Sequence, residues 1–267
     1  LIPKLLLTLY PNQRNVRMNK LLLVILFAVV ASLGFHPFQA KNGETPPKFE
    51  QIDSVSPSPE LSETQKLFDS LHLGSLLNYE AFEQAMVGYR ALPAKNKDIL
   101  TVIDFSLPST EKRMYVLDLQ NKKLLFHTLV AHGRNSGGKY ATKFSNKEGS
   151  LQSSLGFYLT DATYQGGNGY SLRLAGLEPG INDQAMARAV VIHGADYCSE
   201  NVIRATGRLG RSYGCPALPR ELNKPIIDVI KNGSLLFVYA GDNEYPTNSK
   251  VLKNNLDNPS ETLLARR

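Results

Sequence analysis

Apolar residues between Leu61 and Leu92 recur at the three- and four-residue spacing of a helix that buries one face: Leu67, Leu71, Leu76, Phe82, Ala85, Met86 and Tyr89. Ser62 and Glu63 suit a first helical turn, while Gly74 and Pro93 break and end the run, so residues 61–93 read as a helical extension of two short helices. Beyond Pro93 the period shortens. Ile99–Asp104, Lys112–Asp118, Lys123–Val130, Leu155–Thr160, Tyr170–Leu174, Ala187–His193 and Ser234–Tyr239 are short runs rich in branched and aromatic residues, which fit a pleated sheet. Turn formers separate them, among them Leu107–Thr110, Gly133–Gly138, Gln165–Gly169 and Asn232–Gly233. Seven such runs predict a mainly β fold, a sandwich or barrel, over residues 94–242. Glu221–Lys231 reads as one helix on that fold, and residues 243–267 as a polar, fraying tail.

The N-terminal pattern is of another kind. Leu21–Phe35 is an unbroken apolar or small-residue run of fifteen behind Met18 and Lys20. It is shorter than the roughly 20 residues of a membrane span and suits a secretory leader. Residues 1–40 are therefore expected to be a misplaced start, with translation beginning at Met18, followed by a signal peptide or an uncleaved anchor. Lys41–Glu60, rich in Pro, Ser and Glu, reads as a disordered linker. Export to the periplasm or cell surface follows as an expectation, with membrane contact only through such an anchor.

This leader also explains the charge. The formal net charge is +6, but Lys4, Arg14, Arg17 and Lys20 all lie within residues 1–40, which contain no acid, leaving the remainder at +2. A nucleic-acid partner, which needs a basic surface on the folded domain, loses its support. There is no phosphate-binding loop and no histidine pair at helix spacing, and Gly166, Gly167 and Gly169 read as loop glycines bordering a cleft. No cofactor is implied, and a monomer is expected.

Candidate chemistry concentrates around the chain's two cysteines. Cys215 follows Gly214 in Arg211–Leu218, and the run Ala187–Gly194 ends in His193. A thiolate is the nucleophilic form of cysteine and needs a base or positive group to form near neutral pH. Cys215 is thus the candidate nucleophile and His193 the base. The N–H groups of Gly214 and Cys215 are candidate oxyanion donors, and Arg208 and Arg211 are candidates for favouring the thiolate and attracting substrate carboxylates. Two alternatives stay open: a Cys198–Cys215 disulfide, natural in an oxidising compartment, and a metal site using His132, His193, Cys198 and Cys215.

Ordered segments from Ile103 to Tyr239 narrow this reading. They are Ile103–Ser106, Val130–Gly137, Phe144–Asn146, Ser153–Phe157, Gly169–Arg173, Val191–Tyr197 and Gly210–Ala217. Together they resemble the murein L,D-transpeptidase catalytic domain family, bacterial enzymes that remodel peptidoglycan. The resemblance implies that Cys215 is the nucleophile, that His193 is the general base, and that the Gly194 carbonyl orients its ring. It matches Ser212, Tyr213 and Gly214 to the segment shaping the oxyanion pocket, and His132 and Tyr170 join Arg208 and Arg211 as substrate-binding candidates. Tyr213 stands where the broader group commonly has histidine, and Ala217 where it has a polar or basic residue. The implied reaction is thioester formation on a peptidoglycan tetrapeptide stem with release of D-alanine, then cross-linking to an amine. Water as acceptor would give an L,D-carboxypeptidase, and loss of the chemistry would leave a non-catalytic cell-wall-binding protein. A thiol protease would want an asparagine or aspartate orienter, for which no motif is present.

Overall fold

Each helix of the expected extension begins where a polar side chain caps it. In the computed structural model, which describes residues 61–256, α1 (Glu63–Ser70) starts behind Ser62, whose hydroxyl accepts from Gln65 N at 3.1 Å. Asn78 caps α2 (Tyr79–Ala91) through Glu80 N at 2.9 Å. The expectations for residues 1–60, leader and linker alike, fall outside the described residues, as does the end of the tail.

The strands form one eight-stranded sheet that curls toward closure. In chain order they are β1 (Asn96–Asp104), β2 (Met114–Asp118), β3 (Lys123–Thr128), β4 (Gly156–Gly166), β5 (Gly169–Gly176), β6 (Val191–Gly194), β7 (Ala217–Leu218) and β8 (Ser234–Tyr239). Their order in the sheet is β3-β2-β1-β8-β4-β5-β6-β7. Beyond β3 the chain runs on to Ala131, which bridges Ala217 in β7, so the two edges nearly meet as a barrel. That near-closure leaves little open strand edge. At the centre, β8 is buried along its whole length and pairs parallel with β1 and antiparallel with β4.

Helices cover the barrel where its outer residues are apolar. In α4 (Arg220–Ile230), Asn223, Ile226, Ile227 and Ile230 are buried at helical spacing. Phe68, Phe82 and Met86 from the first two helices share one core with Phe157, Phe237 and Leu100. The N-terminal helices are therefore part of the barrel's core rather than an appendage. Gly88 makes this approach possible: a Cβ there would sit 2.1 Å from the Phe157 ring, which itself stacks on Phe237 at 4.4 Å.

The structure departs from the sequence expectations in three places. A two-residue strand, β7, and a short helix, α3 (Glu200–Thr206), fill the stretch between the histidine and cysteine segments. Of the expected Ala187–His193 strand, only Val191–His193 is in the observed strand, which runs on to Gly194, because residues 187–189 belong to a turn. The fraying tail is a correction. Residues Tyr245–Asn248 (α5) and Lys250–Leu256 (α6) are helical and docked. Their anchor is Glu178, only 2% exposed, which accepts from Phe157 N and Tyr245 OH, each at 2.8 Å, and from Ser249 Oγ. Tyr245 and Leu252 are buried beside it.

Candidate active site

Parallel pairing of β6 with β7 sets His193 opposite Ala217, and so places Cys215 two residues from the histidine's strand partner. Both line one cavity of about 520 Å3, together with Arg134, Asn168, Tyr197, Arg208, Gly210, Arg211, Ser212 and Tyr213. Of the glycine-rich turn expected to border a cleft, Asn168, at the tip between β4 and β5, lines this cavity, whereas Gly166, Gly167 and Gly169 do not.

His193 is 4% exposed, and its Nδ1 lies 3.1 Å from the Gly194 carbonyl. A neutral ring donating Nδ1–H to that oxygen leaves Nε2 with its lone pair free to accept a proton. Burial lowers the pKa of the ring below 6.5; the Gly194 carbonyl opposes this and the Arg220 cation adds to it. The Cys215 thiol is partly exposed, donates to Ala189 O at 3.6 Å and accepts from Val191 N at 3.4 Å. Burial raises its pKa, while the Val191 N–H and the Arg188 charge pull the other way. The resting pair is thus a neutral thiol and a neutral imidazole.

The turn that carries the cysteine is stapled from inside and from behind. Ser212 Oγ donates to the Cys215 carbonyl at 2.6 Å and accepts from Gly214 N at 3.1 Å. The expected oxyanion role of the Gly214 N–H is therefore corrected: that donor is occupied, and Ser212 shapes the turn by occupying it. The Cys215 N–H donates to no other residue among the described ones, and its nearness to Sγ favours the thiolate. Gly214 adopts φ +128°, and a Cβ there would sit 2.8 Å from Gln152 O. Ser153 Oγ donates to Gly214 O at 3.1 Å, tying the turn to the segment before β4.

The remaining candidates divide sharply. Tyr213 is 70% exposed at the cavity, with the Arg134 guanidinium 5.8 Å from its ring centroid. Arg211 donates to Arg134 O at 3.0 Å and Gly137 O at 2.9 Å, so it also braces the rim. Burial, then the neighbouring charges of Arg208 and Arg134, lower its pKa, as expected of three guanidiniums with no carboxylate among the cavity's walls. His132 and Tyr170, expected to bind substrate, do not line the cavity. His132 is 1% exposed behind the turn, 2.8 Å from Arg113 Nη2, and burial and the Arg113 charge push its pKa down to about 4. Its carbonyl accepts from Ser212 N at 3.0 Å, so it supports the turn through its backbone. The Tyr170 hydroxyl donates to Asp228 on α4 at 2.9 Å.

Both cysteines are free thiols. Cys198 is fully buried among Leu129, Ala131, Ala195, Leu209 and Ala217, and desolvation pushes its pKa up to about 12, which makes it a core residue and a poor nucleophile. No group of three or more His, Cys, Asp or Glu side chains is placed to hold a metal among the described residues.

One residue absent from the sequence reading is Arg188, whose charge acts on Cys215 where Arg208 and Arg211 were expected to act. Its acceptors are Ser145 O, Gln152 O, Ser150 Oγ and Ser154 Oγ, brought in from at least 34 positions upstream, and no local spacing signals such a fork.

Among solved structures, the chain is similar to an L,D-transpeptidase from Mycobacterium smegmatis, at 14% identity and TM-score 0.34 over 54% of this chain and 59% of that one. It is also similar to the helical cell shape determining protein Pgp2 from Campylobacter jejuni, at 15% identity and TM-score 0.38 over 73% of this chain and 68% of that one. An Enterococcus faecium L,D-transpeptidase matches at 16% identity and TM-score 0.32 over 53% of this chain and 50% of that one. The chain thus spans about 59% of the length of the mycobacterial enzyme. No curated protein matches it. Residues 74–239, more than half of the chain, match the family model of the L,D-transpeptidase catalytic domain, and the chain belongs to that family.

Proposed function

We propose that the protein is a peptidoglycan L,D-transpeptidase whose nucleophile is Cys215 and whose general base is His193. The observation that carries this reading is their shared cavity, with the histidine tautomer set by the Gly194 carbonyl and the cysteine on a turn held by Ser212 and Ser153.

In the first step the thiol leaves the Ala189 carbonyl and its proton passes to His193 Nε2 as sulfur attacks the carbonyl of the third stem residue. The Cys215 N–H, which donates to no other described residue, is a donor for the tetrahedral oxyanion. Collapse breaks the peptide bond, the His193 proton goes to the departing D-alanine amine, and a thioester remains. An amine from a second stem attacks the thioester, gives its proton to His193, and regenerates the thiol. Arg134, Arg208 and Arg211 supply positive charge for the free carboxylates of the stems, and at the rim these interactions orient the peptide more than they tighten it. The setting is the periplasm or cell surface, reached through the apolar leader at Leu21–Phe35.

Incubating the protein with disaccharide-tetrapeptide and following the products by mass tests this directly. The expected outcome is loss of D-alanine with formation of cross-linked dimers, both abolished in Cys215→Ala. D-alanine loss without dimers would make water the acceptor and the enzyme a carboxypeptidase, whereas no turnover in the wild type would overturn the reading.

A further inference from the structure

Arg188 lies in the turn just before β6 and has no carboxylate within ion-pair distance among the described residues. Its partners are all neutral: Nη1 donates to Ser145 O at 2.7 Å and Ser154 Oγ at 2.6 Å, and Nη2 to Gln152 O at 2.6 Å and Ser150 Oγ at 3.2 Å. Neutral oxygens satisfy its donors without cancelling its charge. The same Gln152 carbonyl packs against Gly214, and Nη2 comes within 3.4 Å of where a Gly214 Cβ would be. The next residue, Ala189, accepts from the Cys215 thiol. A guanidinium lacking a counter-ion is therefore fixed beside the reactive turn, where the anion that forms during reaction is the thiolate.

We propose that Arg188 is a positioning residue for Cys215: its fork braces the 145–154 segment under the cysteine's turn, and its uncompensated charge faces the sulfur as the thiolate's counter-ion. The inference rests on Cys215 being the nucleophile, and it assigns the cation to the chain upstream of β6. The other groups around Cys215 are His193 on β6, Tyr197 just after it, Tyr213 in the same turn, and Arg134, Arg208 and Arg211 at the cavity rim. Of the cations, Arg188 is the one with a resolved electrostatic effect on the sulfur.

The test is the rate of Cys215 alkylation by iodoacetamide as a function of pH, with the site of modification assigned by peptide mass. Arg188→Gln removes the charge, and the alkylation midpoint is expected to rise by about one pH unit, with alkylation at neutral pH about tenfold slower. An unchanged midpoint in the folded Gln variant would overturn the counter-ion role and leave a loop brace only. Arg188→Lys keeps the charge but not the fork. Its midpoint is expected to stay within about 0.3 units of wild type while stem acylation slows, since burial and the Val191 N–H are unchanged and what Arg188 adds to the thiol's acidity is its charge. A rise of a full unit in the folded Lys variant would overturn the proposal even if the Gln variant does not fold. Iodoacetamide needs no peptidoglycan recognition, so a shifted midpoint alongside absent stem turnover would count against the functional reading and not against Arg188.

Discussion

A histidine that takes a proton from a thiol must itself be neutral, and His193 is held so by burial at the end of β6. Its pKa lies below the ordinary 6.5, so on lowering the pH the ring acquires its proton only below that value. Stem acylation is accordingly expected to be flat through pH 7 and to fall on the acid side with a midpoint below 6.5. His193→Ala should slow it by roughly 10²- to 10⁴-fold, the usual worth of a positioned general base. An acid midpoint at or above 6.5, or an unchanged rate in the variant, would require another base. At this scale the cysteine and the histidine that share the cavity were legible, because each is defined by its chemical type and its immediate neighbours, whereas the engagement of the Gly214 N–H by Ser212 was not. Arg188 was not, and His132 misled for the matching reason: a histidine beside a glycine reads the same whether its ring faces a cleft or, as here, a buried arginine.

Among the elements, seven strands were legible because each carries several branched or aromatic residues within a short run. The remaining strand, β7, has two residues, and its pairing with His193 and Gly194 is a product of barrel closure, which no local pattern encodes. The helical periodicity before Pro93 revealed two helices but not how closely they approach the sheet. Gly88 makes that closeness testable. Alanine favours an exposed helix interior by about 1 kcal/mol over glycine. Here its methyl would sit 2.1 Å from the Phe157 ring, and overpacking costs roughly 1–3 kcal/mol. Gly88→Ala is therefore expected to lower unfolding stability in urea, and a variant as stable as wild type or more so would show that α2 lies farther from the sheet.

At the scale of the whole molecule, the tail shows what a polar composition conceals. Tyr245, Ser249 and Leu252 are buried because Glu178, far upstream, accepts hydrogen bonds from Tyr245 and Ser249. Ending the chain after Gly241 would expose the surface covered by Tyr245 and Leu252, each worth about 1.5–3 kcal/mol, and strip two donors from a buried carboxylate. Such a truncation is expected to lose about 3 kcal/mol or more, seen as a lower thermal midpoint. A midpoint equal to that of the full chain would contradict the docking.

The barrel, its covering helices and the docked tail together hold one thiol and one imidazole at a shared cavity, and the reaction turns on what that thiol does. The most direct test is the intact mass of the protein after brief incubation with a tetrapeptide stem and acid quench. The expected result is an added mass equal to the stem's acyl portion without its terminal D-alanine, lost on hydroxylamine treatment, assigned to Cys215 and absent from Cys215→Ala. An adduct that persists in that variant, or that lies on Cys198, would contradict it.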